Sequence, residues 1–278
     1  MKLLVQGDDY GMTFGCADGT CRAAAEGILT ATGLFVNLDS SAYAAERIKS
    51  FPHISVGLDI NFFAGRCCAD PAQVPHLINE KGEFPLSSER KKQMRDYMAN
   101  VASHNKKADG RSEFGMYFPL DDPFPFDETL IEVRAQVSRY EELMGHKPAY
   151  IQGHSYLTDS LVKAMKLVAK EKELIYTLDF WANKKIHMYD HDWLLKDGFT
   201  LEKQLATDVE QLVYDQLETL AQYDRALIVC HPGYLDNDLF SRSSYTVIRV
   251  KDLAMLTSPR IRRKLEELGV ELVNYQTL

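Results

Sequence analysis

The sequence predicts an α/β fold in which one parallel sheet of about seven strands curls into a barrel, within a single domain spanning residues 1–278. Short apolar runs rich in β-branched residues recur along the chain, as in strands buried on both faces of a parallel sheet. Amphipathic segments separate these runs, which is typical of strand–helix alternation. The length of 278 residues suits one barrel and is too long for a small disulfide-stapled module.

The apolar runs predict the strands, and the amphipathic segments predict the helices. The predicted strands, in chain order, are LLVQ (3–6), TGLFVN (32–37), ISVGLDIN (54–61), PAYIQG (148–153), 174–178, ALIVC (226–230) and 270–273. Helices are predicted at 14–26, 42–50, 127–144, 161–170, 208–222 and 259–268. The last begins with Ser258 as its cap and Pro259 in its first turn. No glycine-rich nucleotide-binding motif follows any strand, so the pattern favours a barrel, complete or incomplete, over an open nucleotide-binding sheet.

Composition narrows the classes of partner. The chain has 32 Lys and Arg against 40 Asp and Glu, a net charge of −8, which disfavours binding to nucleic acid. No run of about 18 apolar residues predicts a membrane span. The N-terminal apolar stretch is too short for a signal peptide, and five cysteines without a CxxC pair suit buried thiols, so we expect a cytoplasmic protein.

Polar residues stand where predicted strands end. They are Asp8, Asp9, Asp59, His154 and His231. Because the carboxyl ends of parallel strands converge on one face of a barrel, we expect these side chains to share a pocket. Two carboxylates and an imidazole, Asp9, Asp59 and His154, would hold a catalytic metal ion with open water positions. Asp8 would then take a proton from water, and His231 would protonate a leaving group.

Each of these residues also has an ordinary structural interpretation. An Asp-Asp-x-Gly sequence is common in turns, because short acidic side chains bond to nearby backbone. Asp59 could instead form a salt bridge inside its apolar strand. His154 and His231 could each be satisfied core histidines, and only the coincidence of several strand-end sites favours the catalytic interpretation.

Six segments match the motifs of a known family in order. They are QGDDYG (6–11) against N-A-D-D-F-G, EGILTAT (26–32) against E-x-G-(I/V)-(V/L)-T-S-T, GLDI (57–60) against G-(V/M/L)-H-(L/F), PAYIQGHSYL (148–157) against P-x-H-(I/L)-D-S-H-x-H-V-H, CHPGYLD (230–236) against C-H-P-(A/G)-(F/Y)-x-D, and RVKDLAMLTS (249–258) against R-x-x-E-(L/V)-x-x-L-T-S. On these segments the chain resembles the YdjC-like carbohydrate deacetylases, which include the chitooligosaccharide deacetylases. The match is weakest over residues 62–126.

The resemblance implies an irregular TIM-like (β/α) barrel that hydrolyses N-acetyl groups of a small amino sugar or oligosaccharide with one divalent metal ion. It implies Asp8 as the base, His231 as the acid, and Asp9 and His154 as metal ligands. Asp59 stands where the family has histidine, so an oxygen-rich site should favour Mg²⁺, with Mn²⁺ or Zn²⁺ as alternatives. Family members also suggest a homodimer.

Two other functions stay open at this point. Paired carboxylates could instead serve a glycosidase or phospho-disaccharide hydrolase, or the departure at Asp59 could leave a sugar-binding homologue with an impaired metal site. The residues expected to contact a carbohydrate are Tyr10, Tyr156, Trp181 and Arg249. Further aromatic side chains of two long connections could face sugar rings or pack the outer core: Tyr117, Phe118, Phe124, Phe126, Phe180 and Trp193.

Overall fold

The computed structural model describes residues 1–105, 122–190 and 200–278 as a curled parallel half-barrel surrounded by helices. Its strands are β1 (Lys2–Tyr10), β2 (Ala31–Leu34), β3 (Ser55–Ile60), β4 (Tyr150–Gly153), β5 (Ile175–Tyr176), β6 (His187–Met188), β7 (Arg225–Cys230) and β8 (Glu271–Val273). Seven of them follow the order β5-β4-β3-β2-β1-β7-β6, and β8 pairs with the start of β1. Within the described residues, β5 and β6 are not paired to each other, so the sheet does not close into a complete barrel.

Eleven described helices connect these strands. They are α1 (Phe14–Glu26), α2 (Ser41–Ile48), α3 (Ser87–Asn105), α4 (Phe126–Met144), α5 (Asp159–Lys172), α6 (Thr177–Asn183), α7 (Leu201–Ala206), α8 (Val209–Leu220), α9 (Asn237–Arg242), α10 (Val247–Leu256) and α11 (Pro259–Glu267), with one 3₁₀ turn at Pro71–Gln73. Several begin with a side-chain cap, such as Thr158 before α5 and Ser258 before α11. None of the described helices is long and apolar enough to cross a membrane.

Alternate residues of the central strands face two different environments. On the outer face, Leu3 and Val5 of β1 pack with the helices in the main core. On the inner face, Leu4 of β1 packs with Ala31 of β2, Tyr150 of β4 and Leu227 of β7. The half-barrel therefore has a filled interior rather than an open channel.

The predicted α/β architecture with parallel strands is confirmed, but several element boundaries differ. β1 runs through Asp8 and Asp9, which were expected in a turn after a shorter strand. The predicted strand at 174–178 is reduced to Ile175–Tyr176, because α6 begins at Thr177. The sequence patterns also missed α3, whose face is so polar that no apolar stripe marks it, and the two helices between β7 and α11.

Candidate active site

A bulge near the end of β1 places two adjacent carboxylates on the same side of the sheet. The register of β1 against β2 shifts between Gly7 and Tyr10. Within this segment Asp9 has a φ of 65°, an uncommon conformation for a residue with a Cβ. Because a bulge re-aims one side chain relative to strand alternation, both Asp8 and Asp9 can face the carboxyl ends of the neighbouring strands.

Asp9 is held in its ionised form by its neighbours. Arg249 Nη2 from α10 lies 2.6 Å from Asp9 Oδ2, and both side chains are buried. His154 Nδ1 lies 2.8 Å from Asp9 Oδ1. Burial alone would raise the pKa of Asp9, but His154 and Arg249 outweigh it and hold that pKa well below its usual range.

Asp59, near the end of β3, reaches across β2 to the bulge. Its Oδ2 accepts a hydrogen bond of 3.0 Å from the backbone N–H of Asp9. Its Oδ1 is buried and has no hydrogen-bond partner among the described residues. A Cβ on Gly33 of β2 would lie 1.8 Å from that oxygen, so only glycine leaves room for the carboxyl group. Burial and the nearby charges of Asp8 and Asp9 raise the pKa of Asp59 well above its usual range.

Asp8 lies in a different environment from Asp9. Its Oδ1 accepts a hydrogen bond of 2.7 Å from Gln6 Nε2, and the same nitrogen donates to Gln152 Oε1 at 2.7 Å. Burial and the charge of Asp9 raise the pKa of Asp8 to about 7, while Gln6 and Gln152 act in the opposite direction. Asp8 therefore titrates near neutral pH beside a carboxylate that stays ionised.

His231 follows β7 and is anchored through its backbone. Its N–H donates to Asp252 Oδ2 at 2.7 Å, and its ring centroid lies 4.9 Å from that of Tyr245. Tyr245 also donates its hydroxyl to Asp252 Oδ2 at 3.3 Å. Cys230 pairs with Gly7 in the sheet, which places His231 at the same strand ends as Asp8, and the charge of His231 contributes to lowering the pKa of Asp9.

The structure brings four of the five strand-end residues into direct or one-step contact around Asp9, but it does not converge the three expected metal ligands. In the part of the chain that the structure describes, no three His, Cys, Asp or Glu side chains form a group that could hold a metal ion. One oxygen of each carboxylate is already engaged, Asp59 Oδ2 by the Asp9 backbone N–H and Asp9 Oδ2 by Arg249.

Two of the expected carbohydrate contacts, Tyr10 and Arg249, need correction because both side chains are buried. Tyr10 is wholly buried and donates its hydroxyl to Ala44 O at 2.6 Å, so it offers no surface to a sugar. Arg249, 1% exposed, is the ion-pair partner of Asp9 and does not face solvent. Trp181 lies in α6 and packs on the inner face, where its Nε1–H donates to Tyr275 at 2.9 Å. Tyr156 is half-buried two residues after His154, with its ring 5.8 Å from that of Phe63.

The aromatic side chains of the long connections also include both buried and exposed ones. Phe124 is wholly buried against Phe62 and Phe63, so it packs the core. Phe126 begins α4 and is 38% exposed. Tyr117, Phe118 and Trp193 lie outside the described residues.

Sequence reasoning missed the residues that surround the cluster rather than form it. Gln6 and Tyr275 reach the site from inside the half-barrel, and nothing in the local sequence marks Tyr275. Alternation offers one signal for Gln6, because it is a polar residue on the inner face of an otherwise apolar strand.

The described residues also form a cavity of about 950 Å³, whose walls include none of the five strand-end residues. Its lining includes Val36, next to Phe35, whose ring packs edge-on against His154 with centroids 4.9 Å apart. It also includes Arg242, which donates to Met12 O at 2.7 Å. The volume lies within the usual range of small-molecule sites, about 300–1,000 Å³.

Fold and site together define a class of protein: a parallel α/β half-barrel with a buried carboxylate, histidine and arginine cluster at the carboxyl ends of its strands. Comparison with known families agrees. The chain belongs to the YdjC-like protein family, whose model matches residues 2–267, and this confirms the resemblance drawn from the sequence motifs.

Relatives match the chain over its whole length. Carbohydrate deacetylase 2 of Listeria innocua is 27% identical over 286 residues, covering 100% of this chain and 99% of the relative. Chitooligosaccharide deacetylase of Proteus mirabilis is 25% identical, covering 99% and 98%. A crystal structure from Enterococcus faecalis, described as a candidate cellobiose-phosphate cleavage protein, has a TM-score of 0.74 at 19% identity, covering 99% of this chain and 97% of that one. At that identity, the structural likeness shows the fold alone.

Proposed function

We propose that the protein is a hydrolase that removes N-acetyl groups from a small amino sugar or oligosaccharide. One observation carries the proposal: the adjacent carboxylates lie in opposite environments, Asp8 against the Gln6 amide and Asp9 between Arg249 and His154, which raises the pKa of Asp8 to about 7 and holds that of Asp9 well below its usual range. Neighbouring acids with separated pKa values are typical of acid–base catalysis. The names of the relatives support the same reaction.

Each residue then has a defined task. Asp8 takes a proton from the attacking water, since a base with a pKa near 7 is well matched to neutral pH. His231, anchored by Asp252, delivers a proton to the departing amine. Asp9 stays charged between Arg249 and His154 and keeps the imidazole in place.

A divalent cation fits this cluster in the kind of donor it offers. Asp59 Oδ1 is a buried carboxylate oxygen without a hydrogen-bond partner among the described residues, and Asp9 Oδ1 lies 2.8 Å from His154 Nδ1. Although these three side chains do not converge in the structure, we propose that Asp9, Asp59 and His154 close around one ion when it binds, Mg²⁺ in preference to Mn²⁺ or Zn²⁺, because two of the three donors are oxygen. When bound, the ion would polarise the acetyl carbonyl and make water more acidic.

The test is incubation with diacetylchitobiose, with and without EDTA, measuring acetate and reducing ends separately. Acetate release without new reducing ends supports the proposal, and loss of that release in EDTA supports metal dependence. New reducing ends that resist EDTA would instead indicate a glycosidase, and saturable binding without products a non-catalytic homologue. Elemental analysis of protein prepared without chelator should find about one divalent ion per chain. Absence of metal after addition of Mg²⁺, Mn²⁺ and Zn²⁺ would contradict the metal site independently of activity.

Asp8→Asn should reduce acetate release by about 10²- to 10⁴-fold, because the amide cannot accept the proton from water. The metal content should not change, since Asp8 is not one of the proposed ligands. The matched control is Asp238→Asn on exposed α9, which should retain full activity. Full activity of Asp8→Asn would refute its assignment as the base.

A further inference from the structure

The segment after β8 fills the inner face of the half-barrel directly beneath the candidate site. Tyr275 is 3% exposed and packs with Leu4, Tyr150 and Leu227. Its ring centroid lies 4.2 Å from that of Tyr150. The segment is anchored to the start of β3, because the backbone N–H of Tyr275 donates to Ser55 Oγ at 3.2 Å. A residue close to the C-terminus thus reaches the centre of the molecule.

Hydrogen bonds run from this residue to the candidate base in one direction only. The indole N–H of Trp181 can only donate, and it donates to the hydroxyl oxygen of Tyr275 at 2.9 Å. The hydroxyl hydrogen of Tyr275 therefore points onward, to Gln6 Oε1. With its oxygen accepting that bond, the amide of Gln6 must present its NH₂ group to Asp8 Oδ1 and Gln152 Oε1. The donor and acceptor ends of Gln6 are thereby determined.

This orientation matters for the carboxylate above it. Gln6 donates to Asp8 Oδ1 at 2.7 Å and so holds one of the two carboxylate oxygens in place. If the Gln6 amide turned over, its own oxygen would face Asp8 Oδ1 and repel it. Gln6 is itself wholly buried, so water cannot easily replace the lost donor.

We propose that Tyr275 is a positioning residue for the candidate base Asp8, acting through the amide of Gln6. The inference rests on the proposed function for its catalytic meaning, but the hydrogen-bond chain exists independently of the reaction. It extends the functional site from the strand ends to the C-terminal segment, which the sequence motifs do not touch.

Replacing Tyr275 by Phe tests the proposal with a change of one hydroxyl group. For diacetylchitobiose, Tyr275→Phe should lower kcat by about five- to tenfold, the effect of one uncharged hydrogen bond, with KM nearly unchanged. The matched control is Tyr150→Phe, because the Tyr150 hydroxyl is buried in the same layer and has no hydrogen-bond partner among the described residues. That control should retain kcat and KM. Wild-type kcat in Tyr275→Phe would overturn the proposal.

A second variant tests whether Tyr275 acts through Gln6. In a Gln6→Met background, Tyr275→Phe should cause no further loss of kcat, because the amide that it orients is absent. A loss that multiplies with that of Gln6→Met would show an independent role and overturn the proposal.

A measurement without turnover separates this inference from the proposed function. In ¹⁵N-labelled protein, the side-chain amide resonances of Gln6 should shift in Tyr275→Phe and stay in place in Tyr150→Phe. Unchanged Gln6 resonances in Tyr275→Phe would refute the positioning role, whatever the activity. Absence of acetate release by the wild-type protein, with the shift observed, would refute only the proposed reaction.

Discussion

The inner face of the half-barrel consists of two layers, one above the other on the same strands. The lower layer is apolar and includes Leu4, Ala31, Tyr150 and Leu227. One pleat further along, the upper layer is polar: Gln6 and Asp8 on β1, Asp59 on β3 and Gln152 on β4.

The difference between these layers shows how one set of strands can support both folding and chemistry. The lower layer excludes water from beneath the carboxylates, and burial is the largest cause of the raised pKa of Asp8 and of Asp59. Hydrogen bonds within the upper layer, and the buried Asp9–Arg249 ion pair beside it, offset the cost of burying these polar groups. Stability should therefore depend on apolar packing in the lower layer and on intact charge pairing in the upper one.

Breaking the buried ion pair should have the largest effect. Arg249→Met leaves the Asp9 carboxylate buried without its cation, so the free energy of unfolding in urea should fall by about 3–5 kcal/mol. The double variant Asp9→Asn/Arg249→Met should lose less than Arg249→Met alone, because no uncompensated charge remains.

The matched control is Arg134→Met, whose partner Glu171 is also bound at 2.6 Å, but at the surface. An exposed pair should cost no more than about 1 kcal/mol. Equal losses of unfolding free energy for Arg249→Met and Arg134→Met would show that burial does not make the charge pairing of Asp9 more important for stability.

Much of the lower layer and of the fold could be predicted from periodicity. Apolar strands such as 226–230 and the long helix of 127–144 follow from burial and helical period alone. The strand ends also located the cluster, since Asp9, Asp59 and His154 do meet in pairs.

The partners of these residues could not be predicted, because they depend on contacts distant in sequence. Arg249 was expected to meet a sugar, and only the packing of α10 against the end of β1 shows that it pairs with Asp9. Tyr10 follows the two aspartates directly, but the bulge turns its side chain into the outer core. Because strand alternation cannot reveal a bulge, the sequence could not predict the direction of the Tyr10 side chain.

Emptying part of the lower layer should have the next largest effect. Leu227→Ala removes a wholly buried side chain, and the free energy of unfolding should fall by about 2–5 kcal/mol because a cavity remains. Leu167→Ala on α5, where the leucine is 38% exposed, is the matched control and should cost much less. A small loss for Leu227→Ala would show that the lower layer is not the stabilising part of the inner face.

The smallest effect should come from removing a charge from the upper layer, and it should depend on pH. The pKa of Asp59 is raised by burial, so its contribution to stability is present below its unfolded pKa of about 3.9 and is lost as pH rises toward the folded value. Asn at this position carries no charge at any pH. Asp59→Asn should therefore match the wild type near pH 4 and exceed it by on the order of 1–3 kcal/mol at pH 8.

This comparison is made by urea unfolding in EDTA, so that no cation stabilises the carboxylate. Asp96→Asn, a substitution in an exposed ion pair of α3, should show no such dependence on pH. A stability difference for Asp59→Asn that stays constant from pH 4 to pH 8 would mean that Asp59 is ionised throughout this range. In that case burial against the lower layer would not raise the pKa of Asp59.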